Sequence, residues 1–512
     1  MMTSPQPVHG MHPEPRTAPG AEPRTEEGKR TLHRSILGSA LGNAVEWFDY
    51  GVYGYLTIYM AANFFGSAEG DGGLGVTLTL ATLALSFLVR PLGGLILGPL
   101  GDRVGRQKVM VLTVTLMTLA TGAIGLLPTL HTVGLLAPAL LLLCRLVQGF
   151  SAGGEYGGAA VYMAESAPDR RRGFLGSFLE FGTTVGFMLA AIVCTSLIAV
   201  VGDPGMEDGW WRLPFLLTIP LGLTALWIRT RLVEAPVFSE ASQHQETTKS
   251  PLRHVLKHNW RQLLVLAGFV VLLNVAFYLI LGYMPTYLSG QLGHSTAQGN
   301  WMLVAIMALM LVAIPPVGAL SDRVGRKPLL LVAAAGYAAF SVPAVMLLGM
   351  PNLVLQFLGL AVLGLLLVIL VSSVSSTLPA LFPTAVRYTG FAIAYNFSTA
   401  FFAGPSQTVA NQLIETTGNQ LVPGWYMAIA GVIGLVSVLC MRETAQATLR
   451  GEELPGVPES VGLPQRSYVD LNRADAEERR ESFARISQET PRPPLPFSSV
   501  SAKEVVRPGE AE

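Results

Sequence analysis

The chain is 512 residues long, 51% hydrophobic and only 13% charged, with a mean hydropathy of +0.47, where a soluble domain carries roughly 25% charged residues. That composition excludes a soluble globular fold and predicts an integral membrane protein, while a formal net charge of zero excludes any overall attraction to nucleic acid. The three cysteines, Cys144, Cys194 and Cys440, all fall in apolar stretches, too few for a disulfide framework or a metal site.

In chain order, residues 1–33 are rich in Pro, Glu and Arg. They lack the apolar core of a cleavable leader and predict a disordered tail. Apolar stretches close to the roughly 20 residues that cross a bilayer then place six spans near 36–60, 76–100, 109–127, 134–163, 174–201 and 212–230, an N-terminal half over 34–230. A polar, charged linker at 231–259 separates them from six more near 260–288, 300–320, 328–348, 352–380, 388–414 and 424–442, a C-terminal half over 260–442. Residues 443–512 turn Pro-, Glu- and Arg-rich and predict a second disordered tail. The basic residues are sorted: Arg103, Arg106, Lys108, Arg170 to Arg172, Arg323, Arg326, Lys327, Arg387 and Arg442 share one side with both tails. By the positive-inside rule that side, and both termini, are cytoplasmic.

Span 1 carries Asn43, Glu46, Tyr50 and Tyr53 at three-four-three spacing, one helical face, with Trp47 and Asp49 at its margins. An acid at bilayer depth costs about 2.5–3.5 kcal/mol on insertion scales and normally faces a cavity or a partner. A carboxyl there that binds a proton on one side and releases it on the other can drive solute uptake. The alternative for Glu46 is a structural ion pair with Arg90 or Arg145. In span 2, Arg90 precedes Pro91 and two glycines, a hinge or a packing kink. Span 4 shows a polar stripe of Arg145, Gln148, Glu155, Tyr162 and Glu165. Arg145 and Glu155 lie roughly 15 Å apart along the helix at 1.5 Å per residue, too far to pair. Arg145 either holds a substrate carboxylate or neutralises Glu46 across the bundle, and the second is the expected resting state. Glu155 and, in span 5, Glu180 read as gate or coupling groups. Gly149, Gly153, Gly154, Gly157 and Gly158 allow close helix approach. The second half's spans offer neutral groups instead: Asn274, Tyr278, Tyr283, a serine run at 372–376, Asn396 and Asn411. Proton chemistry is therefore expected in the first half.

The chain also repeats itself. Gly98-Pro-Leu-Gly-Asp102-Arg103-Val-Gly105-Arg106 returns as Gly318-Ala-Leu-Ser-Asp322-Arg323-Val-Gly325-Arg326, identical at seven of nine positions. Arg170-x-x-Gly173 is answered by Arg387-x-x-Gly390. Such internal repetition marks carriers whose halves rock about a central site.

Twelve spans, the twin loops and Arg145-Leu-Val-Gln148-Gly149 together resemble the major facilitator superfamily. Within it, Gly42-Asn43-Ala-Val-Glu46-Trp47-Phe48-Asp49-Tyr50, Arg90-Pro91-Leu-Gly93-Gly94, Gly153-Gly154-Glu155-Tyr156-Gly157 and Trp211-Arg212-Leu-Pro214-Phe215 resemble the metabolite:proton symporter family. Tyr283-Met-Pro285-x-Tyr287-Leu-Ser289 and Ser376-Thr-Leu-Pro379-Ala-x-Phe382-Pro383-Thr384 are similar to its proline- and betaine-carrying branch. The resemblance, over residues 32–443, implies an all-α fold of twelve transmembrane helices in two six-helix halves. It also implies plasma-membrane location and proton-coupled symport of small zwitterionic osmoprotectants by alternating access, with solute, proton and bilayer as partners and the proton gradient in place of any cofactor. It further implies a cytoplasmic gate in which Asp102 and Asp322 cap neighbouring helices and pair with Arg103, Arg106, Arg323 and Arg326.

Proton coupling is expected of Glu46, Asp49, Arg145 and Glu155. Substrate contact is expected of Asn43, Trp47, Tyr50, Tyr53, Arg90, Tyr156 and Tyr278, since a quaternary ammonium favours aromatic faces. A carrier of 2-oxoglutarate, citrate or shikimate, with Arg90 and Arg145 as carboxylate clamps, is the alternative within the family, and a non-transporting sensor on the same fold the alternative outside it. No Ser/His/Asp set, metal-ligand spacing or phosphate loop points to an enzyme. One departure stands out: residues 466–489 show no sustained heptad, so the coiled coil linked to osmotic activation in that branch is not expected here.

Overall fold

A computed structural model describes residues 26–66, 74–230, 251–447 and 449. The tails at 1–25 and 450–512, the loop around Glu69 and Asp71, and the linker at 231–250 lie outside the described residues.

In lipid a backbone must satisfy its own hydrogen bonds, and the described residues are almost wholly helical. Span 1 is Glu26–Tyr55, continued after Leu56 by Thr57–Phe65. Spans 2 to 6 are Leu74–Val104, Arg106–Leu126, Leu136–Ser166, Arg172–Gly205 and Arg212–Thr230. After a helix at Pro251–His258, span 7 runs from Trp260–Phe277 into π-wound turns at Tyr278–Tyr283 and Tyr287–Gln291. Spans 8 to 10 are Thr296–Val324, Arg326–Leu348 and Leu353–Thr377, span 11 is Arg387–Phe402 plus Gly404–Thr417, and span 12 is Val422–Cys440. Ten of the twelve are apolar and long enough to cross a membrane by composition alone. The other two are spans 1 and 11. Polar groups around Asn43, Glu46 and Asp49 depress the hydropathy of span 1, and span 11 breaks at Ala403 (φ −96°, ψ −86°), ahead of Pro405, into pieces of 16 and 14 residues.

The repeated loops share a backbone as well as a sequence. Gly105 and Gly325 sit at φ +106° and +102°, a region closed to side chains with a Cβ, so each turn between spans 2 and 3, and 8 and 9, requires its glycine. Inside the first half, spans 2 and 4 pack backbone against backbone: a Cβ at Gly149 or Gly153 would collide with the carbonyl of Ser86 or Arg90. Spans 1 and 5 cross the same way at Gly182 on Ala40 and Gly186 on Ala44.

The two halves meet along spans 2 and 11 and spans 5 and 8. At the end that carries the repeated loops they are stitched together. Ser375 donates to the Gly176 carbonyl at 2.6 Å, Asn396 to the Gly153 carbonyl at 2.6 Å, and Tyr388 to the Gly154 carbonyl. At the opposite end Asn300 donates to Thr195 at 3.1 Å. The halves are closed together at the basic end.

Candidate functional site

Span 1 distributes its polar and aromatic residues in four directions. Asn43 turns to span 5, donating to the Leu179 carbonyl (2.9 Å) and Thr183 (2.5 Å) and accepting from the Trp47 indole (3.2 Å). Tyr53 turns to span 2, its hydroxyl donating to the Thr79 carbonyl at 3.0 Å. Glu46 and Asp49 turn into the first half, toward spans 3, 4 and 6, Trp47 faces Phe277 and Tyr278 of the second half, and Tyr50 packs on Phe87 and Arg90 of span 2.

Inside the first half the charges are fully enclosed. Arg90, Arg145 and Glu155 have no exposed surface, and Asp49, Glu46, Glu180 and Arg229 have 4% or less. Asp49 accepts from Gln148 at 2.8 Å, Gln148 donates also to Thr121 at 2.7 Å, and the Arg145 guanidinium lies 4.0 Å from Asp49. Arg145 also lies over the Tyr53 ring, 3.7 Å from its centroid, a cation–π contact. Arg145 is therefore held by Asp49 and Tyr53, and does not take the expected place beside Glu46. Glu155, too far along the helix for Arg145, forms an ion pair with Arg229 of span 6. Neither oxygen of Glu46 has a hydrogen-bond partner among the described residues. A cavity of about 20 Å³ separates these groups, lined by Glu46, Asp49, Glu155, Thr118, Thr121 and Thr218 among others, room for about one water.

A second, smaller space of about 10 Å³ lies between the halves, walled by Trp47, Tyr156 and Glu180 of the first half and Asn274, Phe277, Tyr278 and Tyr395 of the second. Its walls are aromatic: Trp47 meets Phe277 at 5.2 Å and Tyr278 at 6.1 Å, and Tyr156 stacks on Tyr395 at 4.6 Å. On one side the Tyr156 hydroxyl donates to Glu180 at 2.6 Å. On the other, Arg90 donates to the Tyr278 hydroxyl at 3.4 Å and lies 5.8 Å from the Tyr50 ring centre. The Arg90 Nε and Nη2 have no hydrogen-bond partner among the described residues. A guanidinium with donors to spare and a buried carboxylate thus flank one aromatic box. In the described state the space is no larger than a single water; widened, such a box offers ring faces to a cation and arginine donors to a carboxylate.

At the basic end the second-half loop behaves as a cap. Asp322 accepts from the backbone N–H groups of Gly173 and Phe174, at 2.7 and 2.8 Å, at the N-terminus of span 5, where the helix dipole favours an anion. Arg326 stands 3.8 Å from Asp322 and donates to the carbonyls of Ser376 and Thr444. Arg387 crosses the interface to Glu165 at 2.6 Å with both side chains buried. Arg103 and Arg323 are exposed, and the side chains of Asp102 and Arg106 lie outside the described residues. The chain beyond span 12 takes part. Glu443 accepts from the N–H groups of Arg326 and Lys327, and Ala447 accepts from Arg172 of the first half at 2.8 Å. Ordered contacts therefore extend past residue 442.

Sequence reasoning did not single out Arg229, Tyr395 or Phe277. Arg229 ends an apolar span beside Arg231 and reads there as one more orienting charge. Tyr395 adjoins Asn396, which was singled out, but nothing in a single sequence says that Tyr395 stacks on a ring 239 positions earlier.

A family model described as Major Facilitator Superfamily matches residues 39–406. Among characterised sequences, the chain is 42% identical over 429 residues to the glycine betaine/proline/ectoine/pipecolic acid transporter OusA of Dickeya dadantii, covering 82% of this chain and 85% of that one. It is 40% identical over 435 residues to the proline/betaine transporter of Escherichia coli K12 (83% and 86% covered). It is 41% identical over 436 residues to the ectoine/proline transporter ProP of Corynebacterium glutamicum (82% and 86%). Among solved structures, the proton:xylose symporter XylE bound to 6-bromo-6-deoxy-D-glucose aligns with a TM-score of 0.66 at 20% identity, over 82% of this chain and 98% of that one, a likeness of fold.

Proposed function

Because this chain belongs to the major facilitator superfamily, we propose that it is a secondary carrier for small zwitterionic osmoprotectants such as proline or glycine betaine, driven by the proton gradient through alternating access. The observation that carries this reading is the aromatic box between the halves with Arg90 at one side and Glu180 at the other. A zwitterion satisfies both: its carboxylate meets the Arg90 donors, and its ammonium meets Glu180 and the faces of Trp47, Tyr156 and Tyr395. The buried acid at the far wall disfavours a di- or tricarboxylate. The named cargoes of the similar sequences, betaine, proline and ectoine among them, support the same class of solute.

Charge count supports proton coupling. Four carboxyls, Glu46, Asp49, Glu155 and Glu180, are buried in the first half at membrane depth with three guanidiniums, Arg90, Arg145 and Arg229. An uncompensated buried charge costs several kcal/mol, so one proton on the cluster keeps it neutral. A zwitterion adds no net charge and leaves that requirement intact. Asp49 and Glu155 have arginine partners and Glu180 a tyrosine donor, which leaves Glu46 as the natural seat of the proton. The basic end, by the positive-inside rule, is cytoplasmic, so the described state is closed to the cytoplasm.

Labelled betaine, proline and 2-oxoglutarate offered to liposomes containing the carrier, with and without an imposed proton gradient, test this directly. Betaine or proline is expected to accumulate only with the gradient, and Glu46→Gln to abolish accumulation while leaving exchange of labelled for unlabelled solute. Accumulation of 2-oxoglutarate alone, or undiminished accumulation by Glu46→Gln, contradicts the reading.

A further inference from the structure

We propose that Arg229 is a mobile positioning residue shared between Glu155 and Glu46, so that the coupling proton is exchanged inside the first half, in a cavity distinct from the solute chamber between the halves. The inference rests on the proton-coupled reading above and adds the element that transmits protonation.

Its basis is a set of unmatched partners around one space. Arg229 is 1% exposed and ion-paired to Glu155 of span 4. Its Nη2 has no hydrogen-bond partner among the described residues, and neither has either oxygen of Glu46. The guanidinium lies in a notch over Gly42, one turn before Glu46 on span 1: a Cβ at Gly42 would stand 2.6 Å from Nε and 2.9 Å from Nη2. Gly42, Glu46 and Glu155 all line the same cavity of about 20 Å³. Glycine at 42 thus makes room for the guanidinium where it lies, one turn from Glu46.

The ionisable groups that act on Glu46 are Asp49 and Tyr50 on its own helix, Glu155 of span 4, Arg90 of span 2, Arg229 of span 6 and, across the halves, Tyr278 of span 7 and Tyr395 of span 11. Asp49 is already held by Gln148 and Arg145, and Arg90 leans on Tyr278. Span 3 contributes no charged residue to the cavity, only Val114, Met117, Thr118 and Thr121. Arg90 also keeps two nitrogens without a hydrogen-bond partner among the described residues, but it stands beside the aromatic box and serves the solute; Arg229, seated over Gly42 beside the cavity, serves Glu46. With Glu46 protonated, Glu155 holds the arginine alone, which is the arrangement described. When Glu46 loses its proton to a water entering the cavity, which has room for about one, the ionised carboxylate draws the guanidinium across Gly42 and ties span 6 to span 1. The O–H bond of Glu46 breaks as a new O–H bond forms on the accepting water, which carries the proton away as hydronium.

The test compares Arg229→Gln, Arg229→Lys and Gly42→Ala with the unaltered carrier in liposomes, reading gradient-driven accumulation of labelled betaine, exchange at equilibrium, and the pH profile of exchange. Arg229→Gln is expected to lower accumulation at least tenfold, keep exchange within about threefold, and flatten its pH profile. Arg229→Lys keeps the charge but not the planar fork, and is expected to retain the pH profile with reduced accumulation. Gly42→Ala is expected to shift the profile by crowding the notch. If Arg229→Gln accumulates betaine normally, or if all three variants lose exchange and accumulation in parallel while the Arg229→Lys protein remains monodisperse, Arg229 is only a structural support and the proposal fails. Absence of betaine and proline transport in the unaltered carrier would overturn the underlying reading itself, which separates the two failures.

Discussion

At the scale of single residues, the interior of the first half uses each charge for a different purpose. Asp49 and Arg145 share a site with Gln148, Thr121 and Tyr53 and fix one another. Arg90 keeps two donor nitrogens free at the edge of the aromatic box, where a carboxylate would add charge-assisted hydrogen bonds of about 1.5–3 kcal/mol each. Tyr395 supplies the second-half ring that stacks on Tyr156. Removing that ring face should weaken a quaternary ammonium more than a secondary one, because the former has no N–H to give to Glu180. Tyr395→Leu is therefore expected to raise KM for betaine about tenfold and for proline about threefold or less, in line with roughly 0.5–2 kcal/mol for a desolvated cation–π contact. Competition of the two solutes for uptake by the variant measures the difference directly.

Among elements, the pair formed by spans 2 and 4 decides where Arg90 stands. The glycines at 149 and 153 let span 4 touch the backbone of span 2 at Ser86 and Arg90, so the helix that carries Arg145 and Glu155 also sets the height of Arg90. Bulk at this seam cannot be relieved by a side-chain rotation, since the obstacle is a carbonyl. Gly153→Val is expected to cost about 1–3 kcal/mol through overpacking and to displace Arg90 from the box. It should lower both the thermal unfolding midpoint in detergent and the affinity for solute, whereas loss of affinity at unchanged stability would argue against a shared seam. The π-wound turns of span 7 have the same positional role in the second half, because Tyr278 opens the first of them at the wall of the chamber.

Across the whole molecule, the two halves separate at the basic end only by breaking a buried network. Arg387 to Glu165, Asp322 to the start of span 5, and Arg172 to Ala447 all cross from one half to the other. Removing one partner of a buried pair costs about 3–5 kcal/mol, charged entirely to the closed state, because water solvates the survivor once the halves part. Arg387→Gln is expected to shift the population toward opening at the basic end. With the native cysteines replaced, a cysteine at Ser375, which is buried against Gly176, should then react at least ten times faster with an impermeant maleimide supplied from that side. Unchanged labelling would mean that the pair does not hold the gate.

What the sequence determined by itself are the features written in local pattern. The lengths of the apolar runs gave twelve spans, and the repeated Asp-Arg loop revealed two halves. The acids and arginines inside apolar runs singled out Glu46, Asp49, Arg90, Arg145 and Glu155, since a charge at bilayer depth stands out whatever surrounds it. Partnership was decided by the tertiary structure. Arg145 belongs to Asp49 and not to Glu46, Glu155 belongs to Arg229, and Glu165 belongs to Arg387 on the other half. Helical period fixes the face a residue occupies along its own span, but ion pairs and ring stacks form between spans whose rotation and height are set by backbone contacts such as Gly153 on Arg90. Those contacts join positions dozens to hundreds of residues apart, which is why the charged residues could be recognised in the sequence and their pairing could not.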